Sequence, residues 1–166
     1  MRRFLNALYG LGAVLGAVCT VGVLVSVLAG IVARLMGWNI PGTDAYAGYF
    51  MAAAGFLALA STFKHGEHIR VTLILNALSP APQRRLDIFA LAVGVVLSAA
   101  FCWYGIKLAH DSWSFNDIST SNDATPLWIP QVSMALGALL FFVALVDELV
   151  RRLKGHAPPS SQQLHE

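Results

Sequence analysis

Apolar residues in this chain gather into four long runs separated by short polar connections, at positions 4–33, 45–63, 88–106 and 124–146. In the first run the only ionisable groups are the Tyr9 phenol and the Cys19 thiol. A charge-free run of about 18 or more apolar residues has the length that crosses roughly 30 Å of hydrocarbon at 1.5 Å per residue. The pattern therefore predicts an all-α membrane protein with four transmembrane helices. The first run is long enough to tilt or to project from the bilayer. Met1-Arg2-Arg3 before it looks like the start of a secretory signal, but the run is about twice the length of a signal core and three more follow, so it reads as a retained helix.

The connection between the second and third runs has a pattern of its own. Val71, Ile74, Leu75 and Leu78 recur at helical spacing, with Arg70, Thr72 and Asn76 between them. This fits an amphipathic helix lying in the membrane interface, and equally a cytoplasmic continuation of the second helix. Ser79-Pro80-Ala81-Pro82 ends it, because proline lacks the amide donor and restrains the residue before it. The other connections are too short to hold a second globular unit. Residues 1–154 thus form one transmembrane domain, and the polar, proline-bearing stretch 155–166 is expected to be a disordered tail.

Charge gives the helices a direction. Arg2 and Arg3 precede the first run, Lys64, Arg70, Arg84 and Arg85 lie in the second connection, and Arg151, Arg152 and Lys154 follow the fourth run; only Arg34 and Lys107 stand opposite. Lys and Arg stay on the cytoplasmic side during insertion, which places both termini in the cytoplasm of a bacterial-type inner membrane. Asp111, Asp117 and Asp123 mark the periplasmic side, with Trp38, Trp103, Trp113, Trp128, Tyr46, Tyr49 and Tyr104 read as an aromatic belt there. Lys64, Arg70, Arg84 and Arg85 are candidate contacts for phospholipid headgroups at the cytoplasmic interface. No nucleic-acid partner is expected.

Composition agrees: 57% of the 166 residues are hydrophobic and 12% charged, against about 25% charged in a soluble domain. Gly12, Gly16, Gly22, Ser26 and Gly30 on the first run, and Gly48 with Ala52 on the second, follow the spacing that lets membrane helices approach closely. They are candidate helix-packing or subunit-interface residues. Cys19 and Cys102 lie within apolar runs and read as small buried hydrophobes, not a disulfide framework.

The chemistry of a self-sufficient carrier is missing from the pattern. A coupled transporter needs ionisable or dipolar groups near mid-membrane, and none of the four runs contains Asp, Glu, Lys, Arg or His. A haem anchor needs histidine in the spans, whereas His65, His68, His110, His156 and His165 lie outside them. Lys64-His65-Gly66-Glu67-His68 matches no strong metal motif. No nucleophile with a base, phosphate-cradling loop or intramembrane carboxylate pair is present, so the chain is not expected to be an enzyme or to bind a cofactor. What remains is a supporting subunit.

Residues 40–85 read IPGTDAYAGYFMAAAGFLALASTFKHGEHIRVTLILNALSPAPQRR, and Thr125-Pro126-Leu127-Trp128-Ile129-Pro130 precedes the fourth helix. These segments and the four-span layout resemble the small, DctQ-type membrane subunit of tripartite ATP-independent periplasmic (TRAP) transporters. The place after Asp44, often acidic in that pattern, is Ala45 here. The resemblance implies a periplasmic binding protein that delivers an organic acid to a membrane complex. In that complex a large subunit carries substrate with sodium by an elevator motion, and the small subunit enlarges the fixed scaffold. Asp44 is then a candidate cap for the second helix, since an aspartate at a helix start favours the positive dipole end. The alternative is a membrane anchor subunit of a redox enzyme complex. A small autonomous exporter is disfavoured by the lack of an embedded carboxylate.

Overall fold

The structure is a computed structural model that describes residues 2–64, 80–121 and 123–154. The amphipathic stretch with Arg70, the His65 and His68 motif and the 155–166 tail lie outside the described residues. Four helices make up nearly all of the rest: α1 (Arg2–Leu35), α2 (Thr43–Lys64), α3 (Pro80–Ser114) and α4 (Trp128–Leu153). Each is long and apolar enough to cross a membrane, and the chain is a multi-pass helical membrane protein.

The helices match the four apolar runs, but their ends are set by backbone geometry. At the end of α1 the Trp38 amide donates to the Ala33 carbonyl at 2.8 Å and the Gly37 amide to that of Arg34 at 3.3 Å, with Gly37 at φ 72°. The left-handed residue turns the chain out of the helix while its carbonyls stay satisfied. The end of α3 repeats the device: Asp117 donates to Ser112 at 2.9 Å, Asn116 to Trp113 at 3.3 Å, and Asn116 has φ 52°. Hence α3 continues well past the apolar run, through Lys107 and His110. It also begins earlier, with Pro80 and Pro82 in a first turn that has no need of their missing amides. Conversely α4 starts only at Trp128, because Ala124 takes φ 46° and Ile118 and Pro126 form an isolated antiparallel bridge.

Packing runs in a row. α1 lies against α2, α2 against α4 and α4 against α3, with α1 reaching α4 only slightly. The buried hydrophobic positions are mostly alanine, including Ala33, Ala53, Ala60, Ala109, Ala135, Ala138 and Ala144. In lipid, helices associate through close van der Waals contact, and small side chains permit it. On α1 the seam is glycine: a Cβ on Gly12 would lie 3.0 Å from the Leu57 carbonyl oxygen, and one on Gly16 3.3 Å from that of Ala54. Gly137 on α4 meets the Phe56 backbone so closely that no Cβ fits.

Candidate functional site

Two polar clusters close the row at its ends, and an apolar groove opens along its side. At the end where α1 begins and α4 finishes, Arg152 is the hub, its side chain only 10% exposed. Its Nε lies 2.8 Å from Glu148 Oε1, and its Nη1 2.5 Å from Asp87 Oδ2 on α3. Arg151 approaches the second Glu148 oxygen at 3.4 Å, and Arg84 Nη2 reaches the Arg152 carbonyl at 3.5 Å. Nearby, the Lys64 ammonium stands 5.3 Å from the centre of the buried Tyr9 ring. Of the residues expected at headgroups, Lys64 and Arg84 therefore make contacts between helices, and Arg84 and Arg85 are both exposed. The cluster has carboxylates matched to guanidinium groups, which suits clamping helices together better than binding a free anion.

At the opposite end, the loop between α3 and α4 folds onto the start of α2. The Tyr49 hydroxyl donates to Asp123 Oδ2 at 3.1 Å, and the Thr125 and Tyr46 hydroxyls are paired at 3.2 Å. The two tyrosine rings meet edge to face at 6.0 Å. Gly42, at φ 84°, has no room for a Cβ, which would stand 2.6 Å from that of Asp123. Hydrogen bonding from Thr125 above all, with further donors from Ser119, the Asp123 amide and Tyr49, holds the Asp123 carboxyl below its ordinary range against a smaller opposing effect of burial. Asp44 lies just inside α2, which starts at Thr43, and the hydrogen bond its carboxylate accepts comes from Arg34 at 2.9 Å.

The small residues singled out in the sequence divide into two groups. Gly12, Gly16, Gly22 and Gly30 all face α2, the last two against Phe50 and the Thr43 hydroxyl. Ser26 is half-buried on the same helix. Gly48 differs: nothing lies within 4 Å of where its Cβ would be. It shares with Met51, Ala52, Gly55, Phe56 and Leu59 an open apolar groove of about 500 Å³ on α2. Phe56, one wall of the groove, stacks on Phe101 of α3 at 5.6 Å.

Residue patterns missed several of these groups. Asp87 and Glu148 were not singled out, and nothing in the pattern paired Arg152 with Asp87, Tyr49 with Asp123 or Tyr46 with Thr125, because those partners lie on other helices or across a loop. The apolar run of the third span ends at Ile106, whereas the helix α3 runs on to Ser114 and so includes Lys107. Trp103 and Trp113, both on α3, are separated by about 15 Å of helix and cannot share one shallow belt. Among the described residues, no group of three or more His, Cys, Asp or Glu is placed to hold a metal ion.

No curated protein and no solved structure matches the chain. Residues 23–155 match the family described as tripartite ATP-independent periplasmic transporters, DctQ component.

Proposed function

Since the chain belongs to the DctQ family, the small membrane subunits of TRAP transporters, we propose that it is the scaffold partner of a large elevator-type subunit in sodium-coupled uptake of an organic acid. The acid would be delivered by a periplasmic binding protein, and sodium would be handled by the large subunit. The observation that carries this reading is the open groove of Gly48, Ala52 and Gly55, small residues that no helix among the described residues covers. Small residues in membrane helices serve close approach, and here the approach is available to another subunit. A moving element needs a fixed wall beside it, and a wall needs packing surface and firm ends. The ionic clamp around Arg152 and the tyrosine latch at Asp123 supply firm ends.

The one-sided Lys and Arg distribution supports a cytoplasmic location for both termini, in a bacterial inner membrane. Arg84, Arg85 and Arg70 would then face the cytoplasmic headgroups, where each cation near anionic lipid contributes about 1 kcal/mol. The test is reconstitution. Proteoliposomes with the large subunit, this chain and the loaded binding protein should show sodium-dependent uptake that is lost when this chain is omitted. Full uptake without it would overturn the scaffold reading.

A further inference from the structure

We draw no further inference here: the strongest candidate, the open apolar groove on α2 lined by Gly48, Met51, Ala52, Gly55, Phe56 and Leu59, belongs to the site already described, and nothing in the structure shows what covers it.

Discussion

Arg152 on α4 reaches across to Asp87 on α3, with Nη1 2.5 Å from Oδ2, and the same guanidinium is held at Nε by Glu148. One cation thus serves two carboxylates and fixes the register of two antiparallel helices. Removing one partner of a buried pair leaves a desolvated charge, at a cost of about 3–5 kcal/mol where no other partner remains. Because Glu148 remains, Asp87→Asn should cost less, about 1–3 kcal/mol. Thermal unfolding in detergent measures it. The pair Asp87→Leu with Arg152→Met should lose less than the two single changes added together, and additive losses would show that the contact carries little coupling.

Two glycines with the same sequence pattern should behave oppositely. Gly12→Leu forces a side chain against the Leu57 carbonyl and Leu140, so the chain itself should accumulate poorly. Gly48→Leu meets open space and should leave the abundance of the chain unchanged while reducing co-purification of the large subunit. Comparing abundance with co-purification in membranes tests both. Equal loss of abundance for the two variants would contradict the division into an internal and an outward face.

The latch at Asp123 should be sensitive to acid. Its folded carboxyl titrates below the ordinary value of 3.8, so its contribution to stability is complete above that value and disappears as pH falls through the lower folded value. Asp123→Asn should remove this dependence and weaken the latch at neutral pH. The check is a melting series from neutral pH down to about pH 3, comparing wild type with the variant over the ordinary carboxylate range. Parallel curves for the two proteins would mean the carboxylate is not the titrating group.

Orientation is open to direct labelling. In a background without Cys19 and Cys102, cysteines introduced at Ser119 and Ser160 should react with impermeant reagents from opposite sides of the membrane, Ser119 from the periplasm. Labelling of both from one side would contradict the orientation read from Lys and Arg placement.

The existence of the four helices was legible in the sequence, because an apolar run sustained over that length fits a bilayer and little else. Their ends were not. The polar residues from Lys107 to Ser114 interrupt the apolar run, yet a helix needs no apolar continuity to propagate, and α3 stops only where Asn116 turns left-handed. Small-residue spacing pointed to Gly12 and Gly48 alike, but spacing describes one helix and cannot say whether a neighbour is present. Asp87 and Arg152 lie 65 positions apart, and no local pattern announces a contact at that range.

The row of helices also has a consequence for biogenesis. α1 and α2 complete their seam with each other, and α3 and α4 complete theirs, so each hairpin can form as soon as its second helix leaves the insertion machinery. The halves then meet along the line where Gly137 accepts the Phe56 backbone. This is a two-stage route, in which independently inserted pieces associate within the bilayer. It makes the last step of maturation a docking between preformed halves, and a chain severed between Lys64 and Pro80 should still be able to complete it.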